Sequence, residues 1–255
     1  MSDDATTDVL LFRDHGAVRV LLLNRPEVRN AFNVELYRAL ADGLRAAQDD
    51  DEVKVVVLTG TGKVFSAGQD LVEMAALATG VAVDGAEQGF PRLLDTVQSF
   101  DKPLVAAVNG AGVGLGFTLL AHCDLVLVSE TARFKVPFAE LGVAPEAASS
   151  YLFPKRLGSQ IAAHVLLASA WLSAAEAVDC GFALRACPPD DLLAEALELA
   201  TAMATAPLVS LRAIKTLMLA AQGPEVVAAR AREEAAFAEL LYAPTTREAL
   251  DRFNS

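Results

Sequence analysis

The chain has 255 residues, of which 53% are hydrophobic and 21% charged, with 33 acidic against 21 basic side chains and a formal net charge of -12. That length accommodates one large domain, or a domain with an appendage, and the acidic balance, at a pI of about 4.7, excludes a nucleic-acid-wrapping surface, which needs Lys and Arg in a stripe. Three cysteines, Cys123, Cys180 and Cys187, with no C-x-x-C spacing, make neither a disulfide framework nor a zinc cluster and suit a reducing compartment. Mean hydropathy is +0.36, yet charges and glycines interrupt every apolar run before the roughly 20 residues of a membrane span. The acidic, polar stretch Met1 to Asp8 fits neither a signal nor a transit peptide. A cytoplasmic protein is expected.

In chain order, Ala17 to Leu23 (AVRVLLL) reads as a buried strand closed by Asn24-Arg25-Pro26. From Asn33, an N-cap, Leu36, Leu40, Leu44 and Ala47 recur at helical spacing up to the acidic run Asp49 to Glu52. Val53 to Leu58 is strand again. Helix follows at about Gln88 to Ser99, strand at Leu104 to Val108, helix at about Leu115 to His122, and strand at Leu125 to Val128. Strand and helix alternate, so the class is α/β. The stretch Ala78 to Gly89 lacks periodicity and reads as a mobile loop beside a site, or as a plain linker. After Pro145 helix follows helix, with one short strand through Phe182 to Ala186. Asp191 to Ala204, Leu208 to Ala221 and Pro224 to Leu241 are alanine-rich helices whose apolar faces are wider than one core stripe requires, which predicts a second subunit against them.

Two glycine-rich turns follow strands: Phe65-Ser66-Ala67-Gly68-Gln69-Asp70-Leu71, and Asn109 to Gly116 (NGAGVGLG). Both lead into helix-like sequence, where free backbone N–H groups are available to a developing negative charge and glycine permits close approach. Facing each other, they would make an oxyanion hole. A dinucleotide loop is the alternative, but the third glycine of G-x-G-x-x-G falls on Phe117, and no Gly-Lys-Ser/Thr has Walker spacing. His15, His122 and His164 form no spaced cluster, so neither a metal nor a His-centred triad is expected.

Asn24-Arg25-Pro26-Glu27, Asn30-Ala31-Phe32-Asn33, Phe65 to Leu71, Lys102-Pro103-Leu104-Val105-Ala106-Ala107-Val108-Asn109-Gly110 and Cys123-Asp124, in this order, resemble the crotonase (enoyl-CoA hydratase/isomerase) superfamily over nearly the whole chain. The resemblance implies an α/β spiral of repeated ββα units over residues 1-190, a helical trimerisation region over 191-255, and homotrimers or dimers of trimers. It also implies an acyl-CoA thioester ligand, with coenzyme A as part of the substrate and no separate cofactor. By the same resemblance, the backbone N–H groups of Gln69 and Leu115 hold the thioester oxygen. Arg29 and Ala31 lie near the adenosine end, Ser66 and Ala67 meet the adenine, and Gly68, Asp70 and Leu71 complete the binding turn. Lys215 and Arg212 reach the CoA phosphates, or else form an ordinary basic helix face. Asp70 and Asp124 also suit structural work, capping a helix and fixing a turn.

Hydratases of the superfamily use two glutamates to activate water; the corresponding positions here are Thr118 and Phe138, and neither side chain is a base. The block Ala144-Pro145-Glu146-Ala147-Ala148-Ser149-Ser150 is instead similar to peroxisomal-type 3-enoyl-CoA to 2-enoyl-CoA isomerases, which implies that Glu146 is the single base. One carboxylate suffices for isomerisation, taking a proton from C2 and returning it at C4, and an apolar wall, with Phe138 and Leu141 as contributors, would raise its pKa. The competing role for Glu146 is an acid in the first turn of a helix after Pro145. Glu140 is the rival base. Hydration or thioester hydrolysis through Glu140, or acyl-CoA binding without catalysis, remain as alternatives.

Overall fold

The computed structural model describes residues 8–79 and 85–254. The chain begins with an antiparallel hairpin of β1 (Leu10–His15) and β2 (Val18–Leu23). The sequence pattern gives no sign of β1, because it is an edge strand whose last four residues are exposed and carry no apolar alternation. A 3-10 turn (Pro26–Val28) leads to α1 (Val34–Asp49), capped as predicted by the Asn33 side chain, which accepts from Leu36 N–H at 2.9 Å.

The next stretch repeats one pattern three times. β3 (Val55–Gly60) and β4 (Val64–Ser66) precede α2 (Leu71–Ala78) and α3 (Ala86–Ser99). β5 (Leu104–Val108) and β6 (Ala111–Val113) precede α4 (Leu115–Thr118), which continues as a 3-10 turn to His122. β7 (Leu125–Ser129) and β8 (Arg133–Lys135) precede α5 (Phe138–Leu141). There follow α6 (Ser149–Leu157), α7 (Ser159–Ala168), β9 (Leu172–Ser173), α8 (Ala174–Asp179) and β10 (Arg185–Cys187). The last helices are α9 (Leu192–Ala204), α10 (Leu208–Ala220), α11 (Gly223–Leu241) and α12 (Pro244–Asn254).

The first strand of each repeat enters a six-stranded sheet of order β1-β2-β3-β5-β7-β10, and the second enters a smaller sheet of order β4-β6-β8-β9. Beyond the β1–β2 hairpin the larger sheet is parallel. This is the spiral of ββα units that the resemblance implied. The larger sheet is covered on both faces, which is why its strands read as unbroken apolar runs. Val55 and Val57 face α9 through Leu192, Ala196 and Ala200, while Val56 and Leu58 face the larger core with α1 and α3. Within that core Phe117, Phe134, Phe153 and Phe182 pack with ring centroids 4.6 to 6.2 Å apart.

Several local readings are corrected. The Leu115–His122 helix tightens to 3-10 geometry after one turn. The short strand near Phe182 lies instead at Arg185–Cys187, beside β7. In the stretch read as a mobile loop, Ala86 to Gly89 form the first turn of α3, and residues 80–84 lie outside those described. The helix-like sequence read after the Phe65–Leu71 turn is α2, capped by Asp70 as expected; its end is not legible because LVEMAALA is nearly all apolar and shows no helical stripe.

On α10, Val209 and Leu217 are 76% and 73% exposed, and Ile214 and Met218 are more than half exposed, so the wide apolar face is not covered by its own chain. Among the described residues no single helix is long and apolar enough to cross a membrane; α9 and α10 reach that measure only as a pair bent by 105°.

The tightest packing is between backbones. A Cβ on Gly116 would lie 2.5 Å from the Ser66 carbonyl oxygen, and one on Gly68 2.5 Å from the Val113 carbonyl oxygen. Backbone cannot swing aside as a side-chain tip does, so Gly116→Ala is expected to cost about 1–3 kcal/mol, read as a lowered urea midpoint at unchanged m-value.

Candidate active site

Gly68 and Gly114 join the smaller sheet to the helices that follow it. Gly68 has φ 87°, and Gly114 has φ 52° and ψ -122°, a conformation open only to glycine. A Cβ on Gly68 would lie 3.4 Å from the Gly114 Cα, so the two turns stand side by side. The first turn is locked by Ser66, whose Oγ donates to the Asn30 carbonyl at 2.8 Å and accepts from Gly68 N–H at 3.1 Å. It is also tied to the chain before α1: Phe32 N–H donates to the Gly68 carbonyl at 2.7 Å, and Asp70 N–H to the Phe32 carbonyl at 2.9 Å. Between those bonds the Gln69 N–H is left over. Leu115 N–H, at the start of α4, is likewise an orphan of a helix first turn. Among the described residues no acceptor takes either group. Such a pair of fixed donors is suited to a negative charge growing on one oxygen.

Two cavities meet at this point. One, of about 520 Å³, is lined by Arg29, Ala67, Leu71, Leu115, Phe138 and Trp171 among others. The second, of about 430 Å³, runs between α2, α3 and α11 past Leu77, Phe90 and Leu241. Gln69, Glu146 and Phe237 line both.

Glu146 stands at the junction. It lies before α6 rather than in its first turn, so the helix-start role does not hold; the Glu146 carbonyl accepts from Ser149 N–H, and α6 begins only there. Burial among apolar neighbours raises its carboxyl to about 8, with the nearby carboxylate of Glu233 as a second cause. Phe138 and Leu141 line the larger cavity with Glu146. The turn that presents Glu146 is strained: Ala147 and Ala148 both have φ 58°, each costing on the order of 1–3 kcal/mol for a residue with a Cβ. Two contacts hold it. His122, kept neutral because burial pushes it down to about 4, donates from Nε2 to the Ala147 carbonyl at 2.8 Å. Glu233 of α11 accepts from Ala148 N–H at 2.6 Å and Ser150 N–H at 2.7 Å.

The other expected residues separate into two groups. Arg29 and Leu71 line the larger cavity with Ala67, and Arg29 is exposed. Ala31 is buried, its carbonyl accepting from Arg25. Asp70 caps α2 through Val72 N–H and pairs with Arg25, and Asp124 accepts from Leu104 N–H at 2.7 Å; both do the structural work foreseen for them. Lys215 is corrected: it is 3% exposed, donating to the Lys102 carbonyl and the Asp124 carboxylate, each at 2.8 Å, and is closed to a phosphate. Arg212 is occupied by the Gln48 carbonyl and by Asp51 and Asp101. Glu140 is corrected as the rival base, because it is exposed, pairs with Lys135 at 2.8 Å and lines neither cavity. Thr118, at a hydratase glutamate position, is fully buried with its hydroxyl unpartnered. The sequence reading misses Trp171, Glu233 and Phe237. Phe237 and Glu233 sit on a helix of continuous alanine and charge, with no spacing that marks an inward face, and Trp171 follows an apolar helix as a lone aromatic.

Two outcomes follow. The folded protein holds a proton on Glu146 up to about pH 8, whereas the unfolded chain releases it near the ordinary value of 4.5. The folded state therefore binds more protons between these values, and the stability linked to Glu146 is full below pH 4.5 and lost as pH rises through 8. Glu146→Gln is expected to match wild type in urea midpoint at pH 4.5 and exceed it at pH 9; a constant difference across that range contradicts the burial of the charge. Lys215→Ala leaves Asp124 without its cation and is expected to cost about 3–5 kcal/mol, read as a lowered melting temperature.

A family model for enoyl-CoA hydratase/isomerase matches residues 13–254. The 2,3-dehydroadipyl-CoA hydratase of Escherichia coli K12 is 34% identical over 236 residues, 92% of this chain and 91% of that protein. The enoyl-CoA delta isomerase 2 of Homo sapiens is 33% identical over 229 residues, 89% of this chain but 58% of that protein. The crystal structure of an enoyl-CoA hydratase/isomerase from Pseudoalteromonas atlantica T6c superposes with a TM-score of 0.89 at 37% identity, covering 96% of each chain. With its ββα spiral, paired glycine turns and cavity-facing glutamate, the chain belongs to the enoyl-CoA hydratase/isomerase family of the crotonase superfamily.

Proposed function

We propose that the protein shifts the double bond of a 3-enoyl-CoA to the conjugated 2-enoyl-CoA, with Glu146 as the only acid–base group. The observation that carries this reading is a single carboxyl, without a hydrogen bond that favours its ionised form, at a cavity junction shared with Gln69. The thioester oxygen sits between the N–H groups of Gln69 and Leu115. Ionised Glu146 removes a proton from C2, the two N–H groups hold the dienolate oxygen, and the same carboxylic acid returns the proton at C4. A base with a pKa of about 8 is stronger than an ordinary carboxylate and still ionises near neutral pH. Hydration needs a second free carboxylate to hold water, and of the other two carboxylates on the smaller cavity Glu233 has both oxygens engaged by backbone N–H groups and Glu234 is paired with Arg230.

The CoA portion enters through the larger cavity, beside exposed Arg29 and Arg133 and the Trp171 ring, which the Arg133 guanidinium overlies at 4.4 Å. A few local cations are enough for one phosphate-bearing ligand in an acidic protein. The open apolar face of α10 packs against a second copy in a homotrimer or dimer of trimers, with residues 191-255 as the trimerisation region of a cytoplasmic enzyme.

Purified protein is expected to turn a 3-enoyl-CoA into the 2-enoyl isomer, followed by the absorbance of the conjugated thioester. Glu146→Gln is expected to lose about 10²- to 10⁴-fold in kcat, the range of one acid–base group, and Glu140→Ala to keep wild-type turnover. Faster water addition to 2-enoyl-CoA than isomerisation of 3-enoyl-CoA overturns the assignment.

A further inference from the structure

The isomerase reading uses one carboxylate, but a second is buried beside it. Glu233 is 5% exposed, lies on α11, and lines the smaller cavity together with Glu146. Burying a carboxylate is expensive unless hydrogen bonds replace its water, and here both oxygens have a short bond to a backbone N–H. Those two donors belong to Ala148 and Ser150, the residues that leave the Glu146 turn and enter α6. No side chain of that segment caps α6, and its N-cap residue is an alanine in the left-handed region. Glu233 therefore serves as a cap supplied from a distant helix, satisfying orphan N–H groups and meeting the positive end of the helix.

We propose that Glu233 is a positioning residue for Glu146: by gripping Ala148 and Ser150 it fixes the strained turn that aims the Glu146 carboxyl, and it faces that carboxyl with a charge of the same sign. This extends the isomerase reading and rests on it for its kinetic consequence. The two carboxyl groups differ in what surrounds them. Glu233 has two donors that favour its ionised form, Glu146 has none, and so the proton of the pair resides on Glu146. The electrostatic setting of Glu146 has few other members. From α11 come Arg230, whose charge is taken up by Asp95 and Glu234, and Glu234 itself. The 3-10 turn after α4 contributes neutral His122, α1 the hydroxyl of Tyr37, which burial above all, and then Glu146, Glu73 and Asp70, hold protonated, and the β4–α2 turn Asp70, paired with Arg25. Burial also pushes the Glu233 carboxyl above its usual value, and its bonds from Ser150 and Ala148, with Arg232, oppose that push by favouring its ionised form. No cation in this set is left to neutralise the Glu146 carboxylate.

The test compares the full-length wild type with Glu233→Gln, which keeps the shape and one acceptor but removes the charge, and Glu233→Asp, which keeps the charge but withdraws it from the turn. Titration of ¹³C-carboxyl-labelled glutamates, with the Glu146 signal assigned by its loss in Glu146→Gln, reads the base directly without turnover. The Glu146 midpoint is expected near pH 8 in wild type, to fall in Glu233→Gln, and to stay closer to the wild-type value in Glu233→Asp. The ascending limb of kcat/KM on a 3-enoyl-CoA is expected to move to lower pH in Glu233→Gln. Both variants are expected to lose kcat, on the order of 10²-fold in Glu233→Asp for a base displaced by about 1 Å. A Glu146 midpoint that is the same in wild type and both variants, with only thermal stability reduced, overturns the proposal and leaves Glu233 as a helix cap. If wild type does not isomerise 3-enoyl-CoA, the isomerase reading fails, and the NMR midpoints alone decide the role of Glu233.

Discussion

The structure is organised around a contact between two stretches of backbone. Gly68 stands against Val113 and Gly114, and Gly116 against Ser66, at distances that leave no room for a single added carbon. Each turn follows a strand of the smaller sheet, and β4 and β6 are paired in that sheet, so the sheet sets how closely the turns approach. The N–H groups of Gln69 and Leu115 are aimed by this packing, not by their side chains. A main-chain dipole held by a sheet has almost no freedom to reorganise as charge develops, which is the property that makes such donors effective in a water-poor cavity.

The fold was largely legible because its repeating unit writes a strong pattern. Strands covered on both faces appear as VVVL and LVAAV, and α1 announces itself through Asn33 and a regular leucine stripe. The second strands of each repeat are three residues long, shorter than any periodicity can register, and β6 is hidden inside the glycine turn. In the site, the two glycine turns were readable from local sequence, whereas Glu146 was singled out only by the resemblance, because an acid after Pro145 has the same local signature as a helix first turn. Glu233 was not readable, because Glu233-Glu234 on an alanine-rich helix has the composition of a solvated face, and only the docking of α11 on α6 distinguishes the buried member of the pair. Lys215 failed for the converse reason: a lysine on a largely apolar helix has the same sequence signature whether it reaches a phosphate or, as here, a buried carbonyl and carboxylate.

Buried charge is distributed with a consistent logic. Lys102 is fully buried, and its ammonium donates to the carbonyls of Ala47, Asp50 and Val53 at 2.7 to 2.8 Å, closing the C-terminal end of α1. Lys215 is held by the Lys102 carbonyl and Asp124, and Glu233 by two N–H groups. Each of these ions is matched to the main chain and serves as a strut. Glu146 is the exception, a carboxyl with a negative neighbour and no donor, and this lack of compensation leaves it chemically available.

The His122 and Glu233 contacts on the Glu146 turn also have a bearing on how the enzyme comes into being. Glu233 lies 85 residues beyond Ala148, while every residue of the donor turns precedes Glu146. The turns after β4 and β6 are complete within the first half of the chain, whereas the Glu146 turn, held by His122 on one side, gains its second grip only with α11. The turn of Glu146 therefore reaches its final geometry only when α11 docks on α6, so that the closing helices of the fold complete the site.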